Sequence, residues 1–129
     1  MEAIAIVTGL AVLQAFWFAF EVGKARGAHK VNAPSTAGAP EFERAFRIHQ
    51  NTVEQLVIFL PGLWMFGFYV HAYGAAVVGV IFLVARMIYR GSYLSDPASR
   101  SKGFGLTALS MMVLVLGGMG GAIWSLLQG

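Results

Sequence analysis

Arg47, Asn51 and Glu54 stand at i, i+4 and i+7, and at 100° per residue a helix carrying them presents all three within about 60° of one face. Arg86, Tyr89 and Tyr93, at i, i+3 and i+7, form a second stripe of the same kind. A guanidinium only donates hydrogen bonds, a carboxylate only accepts them, and an amide or a phenol does both. Converging, such groups make a site for a polar, charged ligand. The same residues also admit a structural reading, in which Arg47 and Arg86 reach along their helices to the surface and Glu54 pairs with one of them to join two helices. The elements that carry the stripes decide between the two.

Those elements belong to a membrane. The 129 residues are 57% hydrophobic and 12% charged, with a mean hydropathy of +0.68, far from the composition of an ordinary soluble domain. A span needs roughly 20 apolar residues, and four such stretches occur: Ala3 to Val22, Arg44 to Val70, Ala72 to Tyr93 and Phe104 to Leu127. They occupy nearly the whole chain, which reads as a single membrane domain over residues 1–129 and as an all-α integral membrane protein built as a four-helix bundle. From Gln55 to Ala85 no Lys, Arg, Asp or Glu occurs, a run of 31 residues broken by His71-Ala72-Tyr73-Gly74. Each arm of this hairpin has about 15 residues, or roughly 22 Å at 1.5 Å per residue, short of a core about 30 Å thick. The arms must therefore borrow Asn51 and Glu54 on one side and Arg86 and Tyr89 on the other. Ionisable groups at membrane depth cost at least a few kcal/mol facing lipid, so they face the bundle interior or a wet cavity and mark a function by default.

All nine Lys and Arg lie either between residues 22 and 52 or between 86 and 102. By the positive-inside rule these two segments face the cytoplasm, and the stripes with them, while both termini face away. This placement, and not the net charge of +3, is the informative fact, and it argues against nucleic acid as a partner. Met1-Glu2-Ala3-Ile4 lacks a basic leader and runs straight into apolar sequence, so the first span is expected to be retained. A bacterial inner membrane is expected in preference to the endoplasmic reticulum, since no retention signal is evident. Pro34, Gly38 and Pro40 interrupt the longest connection, Gly23 to Pro40, and Glu41 and Glu43 after Pro40 suit a helix start. Pro61-Gly62 is expected to kink the second span and free a carbonyl near Val57.

Cysteine is absent, which excludes disulfides, thiolate metal sites and a cysteine nucleophile, so thiol chemistry here requires an imported thiol. His29, His49 and His71 have no mutual spacing for metal, and no metal site is expected. Gly117, Gly118, Gly120 and Gly121 suit close helix packing, within or between subunits. Trp17, Trp64 and Trp124 suit packing or the membrane interface, and Gln14 suits an interhelical hydrogen bond.

Glu41-Phe42-Glu43-Arg44-Ala45-Phe46-Arg47-Ile48-His49-Gln50-Asn51-Thr52-Val53-Glu54 resembles the second-helix signature of the membrane-associated proteins in eicosanoid and glutathione metabolism, the MAPEG superfamily. Arg86-Met87-Ile88-Tyr89-Arg90-Gly91-Ser92-Tyr93, followed by Arg100, is similar to the third-helix segment of its microsomal glutathione transferase and leukotriene-forming synthase branch, and Arg26 falls where that branch has an arginine. The likeness runs over about residues 13 to 105. It implies a homotrimer of four-helix subunits that binds glutathione as cosubstrate between neighbouring subunits. Arg26 and Arg47 would hold its carboxylates, and Asn51, Glu54 and Tyr89 its γ-glutamyl end, with Arg86 bracing them. Arg100, with Tyr93 as a second donor, would stabilise the thiolate for attack on a lipophilic electrophile or a hydroperoxide from the bilayer. The chain departs from the branch at His49, Gln55 and Val57, which stand where Gln, Tyr and Pro are common, and this bears on the thiol-facing contacts and the substrate more than on the anchors.

The implied activity is that of a membrane glutathione transferase with peroxidase capacity. Two other functions compete. A non-catalytic lipid- or glutathione-binding relative would have no need of Arg100, which on its own reads as a headgroup-binding residue beside Lys102. A small proton-driven exporter would place a carboxylate in the middle of the first span, whereas Glu21 lies near its end.

Overall fold

The computed structural model describes all residues, 1–129. Four long helices follow one another, α1 (Glu2–His29), α2 (Pro40–Tyr69), α3 (Ala72–Ser95) and α4 (Ser101–Gln128), with a single 3-10 turn, Pro97–Ser99, before α4. All four are long and apolar enough to cross a membrane. With 24 to 30 residues each, they measure about 36 to 45 Å, more than a bilayer core of about 30 Å, so their ends project beyond it.

Helix starts and stops follow local chemistry. Pro40 opens α2, with Glu41 and Glu43 in the first turn where acidic groups meet the positive end of the helix dipole. The Glu43 carboxylate also accepts from the Gly38 N–H at 3.2 Å. Helix α1 runs past Val22 through Lys24 and Arg26 to His29 and ends at Lys30 in the left-handed region, φ 54°. The connection expected from Gly23 onward is therefore confined to residues 30–39, because Lys24, Ala25 and Arg26 are good helix formers that prolong α1. Helix α2 continues through Pro61. The hairpin between α2 and α3 turns at His71, whose Nδ1 accepts from Gly74 N at 2.8 Å and caps α3.

The inner face of the bundle is apolar. Phe59 and Phe82 stack at 3.8 Å between centroids, among Ile4, Val7, Leu63, Ala75 and Leu114, all buried. Large side chains such as Phe16, Val57 and Leu126 lie exposed on the outside, as lipid requires and water would not tolerate in such number. The glycine-rich stretch of α4 packs within the subunit. A Cβ on Gly118 would lie 2.7 Å from the Phe66 nitrogen of α2 and one on Gly121 2.7 Å from the Tyr69 oxygen, while Gly120 faces open space. At the other end of α4, a Cβ on Gly103 would lie 2.5 Å from the Tyr89 nitrogen, so only glycine lets α4 meet α3 there. Polar side chains tie helices together in the apolar region: Gln14 donates to the Leu83 carbonyl at 3.0 Å and Trp64 to Thr8 Oγ1 at 3.1 Å. Trp17 lies under the Arg90 guanidinium, 4.7 Å from its ring centroid, and Trp124 is exposed.

The up-and-down order brings the C-terminal ends of α1 and α3 to the N-terminal ends of α2 and α4. Every Lys and Arg of the chain belongs to that end of the bundle.

Candidate functional site

At the basic end, α2, α3 and the start of α4 enclose an open cavity of about 340 Å³ lined by Arg47, Gln50, Asn51, Glu54, Tyr89, Tyr93 and Arg100. The two sequence stripes meet here. Arg47, Asn51 and Glu54 enter from α2, Tyr89 and Tyr93 from α3, and Arg100 from the residue before α4. Gln50 joins them, although motif reasoning passes over it. It stands three residues after Arg47, about 60° round the helix from it and within reach of the same face, so the periodicity alone would have found it.

The charges in this cavity are unpaired. Glu54 is exposed and takes part in no ion pair; the two ion pairs in the chain are Met1 with Glu2 and Arg90 with Glu21. The reading in which Glu54 joins two helices through Arg47 or Arg86 is thereby overturned: its carboxylate is free to accept from a ligand. Glu21, the acid near the end of the first span, is held by Arg90 on α3 through Nε to Oε1 at 2.8 Å and a second bond to Oε2, which removes it as a free ion carrier. Arg100 is exposed and donates through Nη1 to the Pro97 carbonyl at 3.0 Å. That bond, within the 3-10 turn, holds the side chain at the cavity edge. Tyr89 is buried, and its ring lies 5.6 Å from that of Tyr93.

Two of the residues singled out by sequence do not line the cavity. Arg86 lies behind it with no exposed surface, stacked 4.2 Å over the Tyr89 ring. It donates through Nη2 to Asn51 Oδ1 at 2.7 Å and to Thr52 Oγ1 at 2.9 Å, and through Nη1 to Thr107 Oγ1 at 3.5 Å. Arg26 lies apart from the cavity: its Nη1 donates to the Ser35 carbonyl at 2.8 Å and its guanidinium sits 4.8 Å over the Phe42 ring. The lengthened α1 carries it against the connection to α2, so one subunit does not unite Arg26 with Arg47.

One turn along the same face of α2 from Glu54, Ile58 joins Ala108, Met111, Met112, Val115 and Leu116 in a wholly apolar groove of about 310 Å³ between α2 and α4. A polar chamber and an apolar groove thus follow one another along α2. The chamber offers guanidinium, amide, phenol and a single carboxylate, a donor set for an organic ion.

These features define a class: a small multi-pass membrane protein whose four helices hold a cationic pocket at one end, beside an apolar groove. The chain belongs to the MAPEG family, which its sequence matches over residues 4–120. It is 40% identical over 124 residues to an uncharacterized protein of Synechocystis sp., covering 96% of this chain and 90% of that one. It is 38% identical over 118 residues to Microsomal glutathione S-transferase 2 of Homo sapiens, covering 91% of this chain and 80% of the relative. Leukotriene C4 synthase of Bos taurus is 37% identical over 112 residues, 87% of this chain and 75% of the relative.

Proposed function

We propose that this protein is a membrane glutathione transferase, with peroxidase capacity, that ionises the glutathione thiol for attack on lipophilic electrophiles or hydroperoxides. The observation that carries the reading is the free Glu54 carboxylate facing Arg47 and Arg100 in one pocket. Glutathione brings two carboxylates, an ammonium and a thiol. Glu54 accepts from the ammonium, Arg47 pairs with a carboxylate, and Asn51, Gln50 and Tyr89 supply neutral bonds. With Arg86 close behind, three guanidinium groups face one carboxylate. That excess of positive charge favours glutathione with its thiol ionised, which carries one negative charge more than the thiol form. The name of the transferase relative supports the same ligand.

Arg100 supplies the activation, with Tyr93 as a second donor. A free thiol near pKa 8.5 is only a few per cent thiolate at neutral pH. A guanidinium about 4 Å away, at an effective dielectric of 20, stabilises the anion by roughly 4 kcal/mol, up to about three pKa units before desolvation is subtracted. The thiolate then attacks an electrophilic carbon, forming the carbon–sulfur bond as the leaving group or opened epoxide oxygen takes the electron pair. With a hydroperoxide it attacks the terminal oxygen, breaking the O–O bond to give an alcohol and the sulfenic acid, which a second glutathione converts to disulfide and water. The groove beginning at Ile58 suits the lipophilic partner. Arg26, committed to Ser35 within its own subunit, meets glutathione in a trimer, where a neighbouring subunit's copy closes the open side of the pocket. We place the pocket on the cytoplasmic side of the membrane.

An ultraviolet difference titration of the detergent-purified protein with glutathione tests the proposal. A saturable thiolate band near neutral pH, lost in Arg100→Ala, is the expected result. Glutathione that binds without ionising overturns the catalytic part, and absence of binding overturns the whole.

A further inference from the structure

Arg86 is a buried guanidinium with no carboxylate partner. Its acceptors are an amide oxygen and two threonine hydroxyls. Both hydroxyls spend their single proton on their own helices: Thr52 Oγ1 donates to the Ile48 carbonyl at 2.8 Å and Thr107 Oγ1 to the Gly103 carbonyl at 2.7 Å. Each can therefore present only lone pairs to Arg86. A guanidinium, in turn, offers donors and no acceptor, so it can bond to Asn51 only through Oδ1. The Asn51 Nδ2 group cannot turn toward Arg86, and it is the part of the amide left for the pocket that Asn51 lines.

We infer that Arg86 is a positioning residue that fixes the polarity of Asn51, turning an amide that could donate or accept into a dedicated donor that reads an α-carboxylate, while Glu54, one turn further on α2, reads the neighbouring α-ammonium. This deepens the glutathione reading and rests on it. The α-amino acid head of the γ-glutamyl group then has a defined orientation, carboxylate toward Asn51 and ammonium toward Glu54. An orientation without Arg86 would be degenerate, since a freely rotating amide serves either group. Thr52 and Thr107 share the task, for their protons, spent on α2 and α4, keep the guanidinium facing Asn51.

The test measures binding of three tripeptides to the full-length protein in detergent: glutathione, 4-aminobutyryl-cysteinylglycine, which lacks the α-carboxylate, and glutaryl-cysteinylglycine, which lacks the α-ammonium. Wild type is expected to prefer glutathione over each analogue by roughly ten- to hundredfold, the range of a charge-assisted hydrogen bond. In Arg86→Gln, whose amide can accept as well as donate, the preference over the carboxylate-less analogue falls toward unity and the preference over the ammonium-less analogue stays. Arg86→Lys, which can only donate, retains both preferences. Asn51→Asp keeps an acceptor for Arg86, so the helices stay joined, but it offers the pocket no donor; it is expected to invert the preference and favour the carboxylate-less ligand. Parallel weakening of all three ligands in Arg86→Gln, or an unchanged preference in Asn51→Asp, overturns the assignment to Arg86 and leaves glutathione binding standing. Absence of glutathione binding by wild type overturns both.

Discussion

Arg86 and Arg90 sit one turn apart on α3, and the protein treats them in opposite ways. Arg90 is partly exposed, paired with both Glu21 oxygens and laid over Trp17. Its charge is cancelled on the spot, and the pair joins α3 to α1. Arg86 has no exposed surface, meets only neutral acceptors and keeps its Nε without a partner. An unneutralised charge inside a protein costs several kcal/mol. A nearby carboxylate would have relieved that cost, and the fold uses one for Arg90. An ion pair is a short dipole whose field dies quickly, whereas at about 8 Å a bare charge still contributes roughly 2 kcal/mol at an effective dielectric of 20. Arg90 is neutralised where it joins α3 to α1, and the arginine behind the pocket is left with its field intact. The unpaired Glu54, Arg47 and Arg100 belong to the same category.

The contrast breaks most visibly at Arg100. Arg100→Ala is expected to lower turnover by about a hundredfold or more, in the range found when one preorganised charge-stabilising group is removed, with thermal stability unchanged. The bound thiol's pKa should then climb back toward about 8.5. In wild type the thiolate band persists at neutral pH and fades only as pH falls through the lowered pKa, while the variant should lose it already below about pH 8. A melting temperature that falls along with turnover would make Arg100 structural. Glu54→Gln comes next, with glutathione binding weaker by roughly tenfold or more at unchanged stability, since a charged partner of the ammonium becomes a neutral one; isothermal titration reads the affinity and a melting curve the stability.

Arg86→Met separates the two arginines. Thr52 and Thr107 keep their own helix carbonyls as partners and Asn51 can turn to water in the pocket, so removing the buried charge leaves little unsatisfied. Differential scanning calorimetry should show a melting temperature equal to or a few degrees above wild type, while glutathione affinity drops. A loss of several degrees would show that Arg86 serves the bundle rather than the pocket. The smallest effect is expected at Glu21→Gln, which costs about 1 kcal/mol of stability and leaves glutathione affinity alone. An equal loss of affinity there would erase the distinction between the arginines.

Much of the pocket was legible because helical periodicity is local. Arg47, Asn51 and Glu54 converge by angle alone, and a charge-free run too long for one span and too short for two forces Arg86 and Tyr89 inward with them. What the spacing could not supply was partnership across helices. Thr52 and Thr107 pass for filler in apolar segments, and only the approach of α2 and of α4 to α3 makes them acceptors for one guanidinium. Glu54 could pair or stay free on sequence grounds, and the choice rests on Arg90 engaging Glu21 while no cation engages Glu54. The position of Arg26 within its subunit was not legible, because α1 continues beyond the apolar stretch and the connection that meets Arg26 folds over Phe42, a contact between residues far enough apart that no local pattern encodes it. The boundaries of α2 and α3, by contrast, followed Pro40 and His71 closely.

Gly103 carries a last consequence. It lets the first turn of α4 rest on the backbone of Tyr89, and Arg100 lies only three residues before it. Under the proposed mechanism, seating α4 about 1 Å further out would stretch a 4 Å contact between guanidinium and thiolate to 5 Å and give back roughly half a pKa unit of acidity. On the proposed function, a methyl group missing from the protein would thus serve as the gauge for the acid strength of a molecule the protein only borrows.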